Sequence, residues 1–312
     1  MPQVMLDMKA VRGKWPSTAL LFLWIWLTAG KVAGADTNWM AGIPGERRLS
    51  QISIPGTHDT AARYETWPDT TICQHATIPE QLNFGIRLLD IRCRHIHDAF
   101  DIYHGSVSQK LTFSNVLQEV TAFLKSNPTE CVLMSVKEEY KPEDNTRSFD
   151  DTFRSYVAAD PEVWWLGSSV PALDAVRGKI VLIRRFDSAR DEGINASDWP
   201  DNRVFSDNHI SVEDWYEVTN NAVKWMDISN ALVNASADAN ADTLHLTFAS
   251  GYQPHFAGIP SISSVSKYMN PRLVSFFSAA PRGHYGCVLM DFADADRARL
   301  VYGSNFKDGM GQ

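Results

Sequence analysis

The sequence has no excess of positive charge, no internal repeat and no low-complexity stretch. Asp and Glu total 37 against 29 Lys and Arg, which gives a formal net charge of −8. An acidic chain lacks the basic footprint of a nucleic-acid binder, and its charge alone would not attract it strongly to an anionic membrane. The remaining composition, 44% hydrophobic and 21% charged over 312 residues, is typical of a globular protein with a substantial core.

Cysteine is scarce as well. The chain has four, Cys73, Cys93, Cys131 and Cys287, and none forms a CxxC pair, so a structural zinc site is not expected. Four cysteines allow three complete disulfide pairings, and the sequence does not choose among them. Cys131 and Cys287 lie in apolar runs, where buried free thiols are an equally good interpretation.

The apolar run Ala19–Ala29 is too short for a comfortable membrane span. Basic residues precede it, and Ala33-Gly34-Ala35 follows as a small-x-small cleavage site. This order predicts a secretory signal peptide over residues 1–35, cut after Ala35, ahead of a single domain over residues 36–312. An uncleaved signal anchor is the less favoured alternative. Two glycosylation sequons, at Asn195 and Asn234, match a secreted, extracellular glycoprotein.

Short apolar runs, mostly continuous rather than alternating, predict strands buried on both faces, as in parallel sheets. They are Leu49–Ile54, Ile86–Ile91, Cys131–Val136, Lys179–Ile183, Leu244–Phe248 and Cys287–Met290. Helical spacing predicts helices over Ser114–Asn127, with Ser114 as N-cap, and over Phe149–Val157. Strands that alternate with helices indicate an α/β sheet or barrel.

Polar residues follow several of these predicted strands. Pro55-Gly56 predicts a turn, and His58 comes directly after it; further polar residues at strand ends are Asp90, Arg92, His104, Lys137, Arg185 and Asp291. In a β/α barrel the active site is built at the carboxyl ends of several strands. The repeated placement of such residues therefore predicts one shared active site.

The strings SIPGTHDT, LLDIRCR, YHG, MSVKEEY and RGKIVLIRR, in this order and spacing, resemble secreted phosphatidylinositol-specific phospholipase C of the bacterial type. The resemblance runs from about Leu49 to Asp291. It implies a single distorted (β/α) TIM-type barrel that needs no metal or cofactor. It also implies cleavage of phosphatidylinositol to diacylglycerol and inositol 1,2-cyclic phosphate, with glycosylated inositol anchors as a further candidate substrate.

The same resemblance implies a role for each site residue. His58 matches the general base, and Asp291 matches the carboxylate that orients this base. His104 matches the general acid, and Asp59 matches the carboxylate that supports this acid. Arg92 matches the phosphate-binding arginine. The inositol-binding set matches Lys137, Arg185, Asp214 and Tyr216, of which the last two come from the looser match Val212–Tyr216. Asp90 and Glu139 are expected to support these residues rather than take part directly.

These residue types suit the chemistry independently of the resemblance. Cleavage of a phosphodiester by an internal hydroxyl needs a base on the nucleophile and an acid on the leaving oxygen, and histidine can serve as either near neutral pH. A carboxylate fixes each imidazole tautomer. A guanidinium can donate two parallel hydrogen bonds to phosphoryl oxygens, and Arg92 and Arg94 both compete for this role, with the motif favouring Arg92.

Two positions in the sequence indicate whether the site needs a metal ion. Calcium-dependent eukaryotic relatives of the family carry Asn after the first histidine and an acid where Arg92 stands, whereas this chain has Asp59 and Arg92. Because a guanidinium repels a cation and can replace its electrostatic role, a metal-free site is expected. His95 and His97 form an HxH pair that could ligate a metal, but a polar turn is the favoured interpretation.

A lipid substrate requires contact with a membrane, so a peripheral membrane contact by a monomer, without nucleic acid, is expected. Trp67, in the loop after His58, is a candidate interfacial anchor, as are Trp164-Trp165 and Tyr252; for Trp164-Trp165, core packing is favoured.

Two alternative functions remain open. One is a metal-dependent glycerophosphodiester or sphingomyelin phosphodiesterase, and the other is a catalytically dead lipid- or glycan-binding module. The acidic pair Glu138-Glu139 would indicate a glycosidase only if another, distant acidic residue were matched to it, and the sequence marks none.

Overall fold

The strands of this protein form one large curved sheet with helices on its outer face. The computed structural model describes residues 37–207, 209–254 and 258–306, which lie in one compact unit. The predicted signal peptide over residues 1–35 lies outside the described residues. The strands of the large sheet are β1 Ile54–Thr57, β2 Leu88–Ile96, β3 Ala99–His104, β4 Val107–Thr112, β5 Val132–Glu138, β6 Trp164–Trp165, β7 Ile180–Arg185, β8 Ile194–Asn195, β9 Arg203–Ser206, β10 Ile210–Asp214, β11 Leu244–Phe248 and β14 Cys287–Met290. Two further short strands, β12 Gln253–Pro254 and β13 Pro260–Ser261, pair with each other in a separate sheet.

Seven α-helices and three short 3-10 helices connect these strands within the described residues. The α-helices are α1 Ile78–Asn83, α2 Phe113–Ser126, α3 Phe149–Ala159, α4 Leu173–Val176, α5 Asn221–Ala237, α6 Ser263–Ala279 and α7 Ala295–Gly303. The 3-10 helices are Trp39–Gly42, Leu49–Gln51 and Pro161–Val163. The strand order is β6-β7-β5-β2-β1-β14-β11-β10-β9, parallel from β6 to β10, with β9 antiparallel at its end. The fold is α/β, a single distorted (β/α) TIM-type barrel.

Alternate side chains of the parallel strands lie in two separate hydrophobic clusters. Leu88 and Leu133 face the barrel interior, where they pack with the amino-terminal segment around Trp39. Their neighbours Leu89 and Met134 face outward into the helices. Because both faces are apolar and buried, the strands read as continuous hydrophobic runs, and the prediction of a buried parallel sheet is confirmed.

Several local predictions need correction. β11 and β14 have the predicted bounds, but Leu49–Gln51 is a 3-10 helix and the first strand begins at Ile54. Pro55-Gly56 is not a turn: both residues lie inside β1. A Cβ at Gly56 would come within 3.1 Å of the Leu88 Cβ and 3.2 Å of the Leu289 Cγ, so the glycine permits close strand packing.

The start of α2 and the state of the cysteines are also defined. Helix α2 is capped by Thr112, whose hydroxyl accepts from the Asn115 N–H, and not by Ser114. All four cysteines lie in the described residues, and all four are buried free thiols. Among residues 37–207, 209–254 and 258–306, no helix has both the length and the apolar character of a membrane span.

Candidate active site

The pairing of β1 with β14 brings His58 and Asp291 together at the carboxyl ends of these two strands. Thr57 pairs with Met290, so the next residue of each strand follows at the same level. His58 donates its backbone N–H to the Met290 carbonyl at 3.1 Å, and its Nδ1 lies 2.8 Å from Oδ1 of the fully buried Asp291. The carboxylate holds the proton on Nδ1, which leaves Nε2 as the basic nitrogen.

Two opposing effects set the pKa of His58. Burial disfavours the charged imidazolium and lowers its pKa, but the negative charge of Asp291 and the hydrogen bond to it raise the pKa more. The net result is a pKa above the ordinary histidine value. A more basic imidazole is a stronger proton acceptor, which suits a general base.

His104 reaches the same site by a different route from the one predicted. Strand β2 continues past the barrel mouth, and the antiparallel strand β3 returns, pairing Ile102 with Cys93 and carrying His104 back toward the site. The Nδ1 of His104 lies 2.9 Å from the Thr71 carbonyl oxygen and 3.4 Å from an oxygen of Asp59. The barrel strands alone would not have placed this histidine.

The two imidazole rings face one cleft. Their centroids are 6.5 Å apart and their planes are nearly perpendicular, at 86°. The side chains of His58 and His104 retain 12% and 19% exposure, whereas their carboxylate partners are buried. A substrate atom in the cleft can therefore contact both rings while the carboxylates stay away from water.

Asp59 occupies a strained position beneath His104. Its backbone has a positive φ of 40°, which is uncommon for a residue other than glycine, and its N–H donates to an Asp90 oxygen at 3.1 Å. Burial raises the pKa of Asp59, against the opposing charges of His104 and Arg92. Strained backbone of this kind clusters at functional sites.

Arg92 is held in place by two carboxylates. Its Nε and one terminal nitrogen lie 3.3 and 3.1 Å from Oδ2 of Asp90, and its other terminal nitrogen lies 3.5 Å from Asp59. Burial lowers the pKa of Arg92, but Asp90 and Asp59 raise it further, so the guanidinium stays charged. Arg94 instead binds the Lys141 carbonyl and Glu143, outside this site.

Two of the predicted head-group residues, Arg185 and Lys137, lie beside acidic residues that also interact with Arg92. Arg185 stacks on Trp199, with its Cζ 3.5 Å from the ring centroid, and one terminal nitrogen lies 3.8 Å from Asp90. Lys137 lies 3.7 Å from Glu139 and 3.6 Å from Asp201. Together they place two cations beside the cleft.

Asp214 and Tyr216, the looser matches, lie in the same region. Burial raises the pKa of Asp214, and the nearby Arg185 opposes this increase. Burial also raises the pKa of Tyr216, helped by the charges of Asp201 and Asp214. The structure thus brings all nine predicted site residues into one neighbourhood. Their roles remain predictions.

Sequence reasoning missed three side chains. Trp199 supports Arg185, Asp201 pairs with Lys137, and Cys73 lies 3.8 Å from His104 Nδ1. The run Trp199-Pro200-Asp201 could have been noticed as a rigid polar–aromatic loop between strands. Cys73 has no comparable local signal, because only the tertiary fold brings it to the site.

Three groups of side chains in the described residues have ligand atoms close enough to share a metal ion, within 4.8 Å of one another. They are His58, Cys73 and Asp291; Asp59, Cys73 and His104; and the exposed set His97, Glu143 and Asp144. The HxH pair does not act together: His95 is buried and bonds to Thr152, while His97 is exposed.

The fold and these paired histidine–carboxylate contacts define an enzyme of the α/β-barrel class. Residues 47–186 match the family model "Phosphatidylinositol-specific phospholipase C, X domain". Two curated relatives are named 1-phosphatidylinositol phosphodiesterase. The chain is 26% identical to the one from Staphylococcus aureus strain Newman, over 82% of this chain and 88% of that protein. It is 28% identical to the one from Listeria monocytogenes, over 86% and 84%.

A solved structure gives the same result. A variant of the phosphatidylinositol-specific phospholipase C from S. aureus superimposes with a TM-score of 0.78 at 25% identity, over 87% of this chain and 98% of that one. The chain thus matches the X domain of this family over residues 47–186 and is similar along most of its length to bacterial phosphatidylinositol-specific phospholipases C.

Proposed function

We propose that this protein is a phosphatidylinositol diacylglycerol-lyase that releases diacylglycerol and inositol 1,2-cyclic phosphate. One observation carries the proposal: two imidazole rings, each beside a buried carboxylate, lie with their centroids 6.5 Å apart next to the fixed guanidinium of Arg92. Relatives named for phosphatidylinositol cleavage support it.

The first chemical step is attack by the inositol 2-hydroxyl on the phosphorus. His58 Nε2 removes the hydroxyl proton as the oxygen–phosphorus bond forms. Asp291 keeps the ring oriented and stabilises the imidazolium that results. Because nucleophile and phosphate belong to one substrate, attack is intramolecular and benefits from proximity.

The second requirement is departure of diacylglycerol. The bond from phosphorus to the glycerol oxygen breaks, and His104 donates a proton to that oxygen. Arg92 donates hydrogen bonds to the phosphoryl oxygens where negative charge develops. Asp90 and Asp59 hold the guanidinium still, so little reorganisation is needed during the reaction.

The polyol ring is recognised beside these groups. Lys137 and Arg185 supply donors, Asp214 supplies acceptors and Tyr216 supplies both, which suits a ring bearing several hydroxyls. Asp214 accepts from a hydroxyl best as a carboxylate, and the charge of Arg185 favours that form. The enzyme would also cleave glycosylated inositol anchors if its site tolerates a glycan on the inositol ring. We include these anchors as a candidate substrate.

The enzyme acts at a membrane surface as a secreted monomer. Trp67, in the loop that follows His58, is 70% exposed, and an exposed indole partitions into the membrane interface. Trp164 is buried in the core and Tyr252 bonds to Glu217, so Trp67 is the better anchor of these three. A signal peptide over residues 1–35 and glycans at Asn195 or Asn234 complete this proposal.

Two alternatives are less well supported. A metal-dependent phosphodiesterase would need acidic ligands where Arg92 stands, and this guanidinium is charged and fixed. A catalytically dead binding module is disfavoured because both histidines have carboxylate partners.

Phosphorus NMR of the water-soluble product tests the function. Phosphatidylinositol in mixed micelles is treated with purified protein in the presence of EDTA. A cyclic inositol phosphate is expected to appear first. No product, or a phosphomonoester from the start, contradicts the proposal.

A further inference from the structure

Cys73 is a buried thiol that the proposed reaction does not use, although it lies between the two histidine–carboxylate pairs. Its Sγ is 3.8 Å from His104 Nδ1. The backbone fixes this position, because Cys73 N donates to the Ala62 carbonyl at 2.9 Å and Phe292 N donates to the Cys73 carbonyl at 2.7 Å. The thiol is therefore held next to His104 by the backbone of the loop after β1.

Asp59 supplies a second, independent feature of the same place. Its side chain is fully buried, yet neither carboxylate oxygen accepts a hydrogen bond from the described residues. One of these oxygens, Oδ2, lies 3.4 Å from His104 Nδ1 and 3.5 Å from a terminal nitrogen of Arg92. A buried carboxylate with unused acceptor capacity, beside an imidazole and a thiol, has the ligand types of a metal site.

We propose that Asp59, Cys73 and His104 bind a thiophilic divalent cation, with Zn²⁺ and Cd²⁺ as the chemical class, and that the bound ion inhibits the enzyme. Tetrahedral zinc with bonds of about 2.3 Å to sulfur and about 2.0 Å to nitrogen or oxygen has S···N and N···O edges of roughly 3.3–3.6 Å. The observed distances are 3.8 Å for S···N and 3.4 Å for N···O. These two edges are already within about 0.5 Å of the tetrahedral values, and the third edge, from the Cys73 sulfur to the Asp59 oxygen, lies within 4.8 Å and has to shorten to the same range.

The neighbouring set of His58, Cys73 and Asp291 fits less well. His58 Nδ1 and Asp291 Oδ1 are 2.8 Å apart and already share a hydrogen bond. That separation is shorter than a tetrahedral edge of roughly 3.3 Å, so both atoms could not ligate one ion without moving apart. The set around His104 is therefore the preferred site.

Charge and protons balance in this complex. Cys73 loses its proton to solvent. His104 also loses to solvent the Nδ1 proton that faces the Thr71 carbonyl and keeps a proton on Nε2, so the ring binds the ion as a neutral imidazole. The two anionic ligands, the Cys73 thiolate and the Asp59 carboxylate, offset the two charges of the ion. The bound set is then neutral beside Arg92, whereas a cation held by neutral ligands would be repelled. Hard ions such as Ca²⁺ and Mg²⁺ prefer oxygen ligands and gain little from the thiolate.

Binding would remove the proposed acid from the reaction. An ion on Nδ1 holds the ring and occupies Asp59, so His104 can no longer be set up to protonate the leaving group. Inhibition thus rests on the proposed function of His104, but binding of the ion does not. A binding readout and an activity readout can therefore fail separately.

The test uses Cd²⁺ and Zn²⁺ on the purified full-length mature protein. Cd²⁺ titration of the wild type should produce thiolate-to-cadmium charge-transfer absorption that saturates at one equivalent. Zn²⁺ should inhibit phosphatidylinositol cleavage, EDTA should reverse the inhibition, and Ca²⁺ at the same concentration should not inhibit. Cys73→Ser should lose the absorption band and require at least about tenfold more Zn²⁺ for the same fractional inhibition.

Cys131→Ser is the matched control, since Cys131 is also a buried free thiol but packs on the Met40 sulfur at 3.7 Å. It should retain the band and the wild-type inhibition. His104→Ala should weaken Cd²⁺ binding, and this variant serves as the test if Cys73→Ser does not fold. Absence of the band in the wild type, an unchanged Cd²⁺ affinity in His104→Ala, or equal Zn²⁺ inhibition in wild type and Cys73→Ser would overturn the proposal. A Cd²⁺ band without any lipid cleavage would instead count against the proposed function alone.

Discussion

His58 Nδ1 lies 2.8 Å from Asp291 Oδ1, although 233 positions separate the two residues in the sequence. The contact exists because β1 and β14 are neighbouring parallel strands with Thr57 opposite Met290. It gives the imidazole a fixed tautomer and a raised pKa, the two properties that a general base requires. The pH dependence of the reaction should report this pair.

Asp291→Asn should move the acidic limb of the kcat/KM profile to lower pH. His58 must be neutral to accept a proton, so wild-type activity should fall as pH decreases through a pKa above the ordinary ~6.5. In the variant, burial still lowers the pKa of His58, but the negative charge of Asp291 that raised this pKa is gone. The plateau should also fall by ~10²–10⁴, because the amide no longer selects the tautomer. A limb that stays in place or moves to higher pH contradicts this account of His58.

Arg92→Lys should reduce kcat more than it changes KM. Lysine keeps the charge but cannot donate in the fork geometry that Asp90 and Asp59 hold, so stabilisation specific to the transition state is lost. Removing one such donor typically costs ~10²–10³ in kcat. Arg94→Lys is the control, because Arg94 binds Glu143 outside the site. Similar losses in both variants would refute the assignment of Arg92.

Chelation should leave turnover intact. Arg92 stands where a calcium ligand would be needed, and it is already paired with Asp59 and Asp90. Steady-state rates in EDTA should match those without it, or exceed them if the preparation carries inhibitory zinc. Loss of activity in EDTA with recovery on adding Ca²⁺ would show that the site needs a metal.

Trp67→Ala should weaken binding to vesicles of phosphatidylinositol and phosphatidylcholine by roughly tenfold or more, as expected for losing burial of one large aromatic side chain. Cleavage of a soluble inositol phosphate ester should fall far less. Val233→Ala is the control: Val233 is 55% exposed, on the part of α5 that has returned toward the opposite end of the barrel. Equal vesicle binding by wild type and Trp67→Ala would remove Trp67 as an anchor.

Patterns that depend on local chemistry were readable from the sequence. The continuous apolar runs predicted a buried parallel sheet, since each strand is covered by helices on one face and by the barrel interior on the other. The polar residues after these runs predicted a common site because parallel strands end at the same edge. His58 and Asp291 are the clearest case.

Features set by tertiary contacts were not readable. Pro55-Gly56 has the local preference of a turn, yet Gly56 lies in a strand because Leu88 and Leu289 pack closely against it. Cys73 and the Thr71 carbonyl reach His104 only when the loop after β1 folds over the barrel mouth. No periodicity in the sequence encodes such a contact between distant segments.

The roles of the two histidines are tested most directly by changing the leaving group. His58→Ala and His104→Ala are compared on phosphatidylinositol and on an inositol phosphate ester of nitrophenol. Every substrate needs the base, so His58→Ala should be impaired on both. Nitrophenol departs without a proton, so His104→Ala should be severely impaired on the lipid and should recover much of the ~10²–10⁴ that a general acid contributes on the ester. Equal losses for His104→Ala on both substrates, or recovery of His58→Ala instead, would contradict the assignment of His58 as base and His104 as acid.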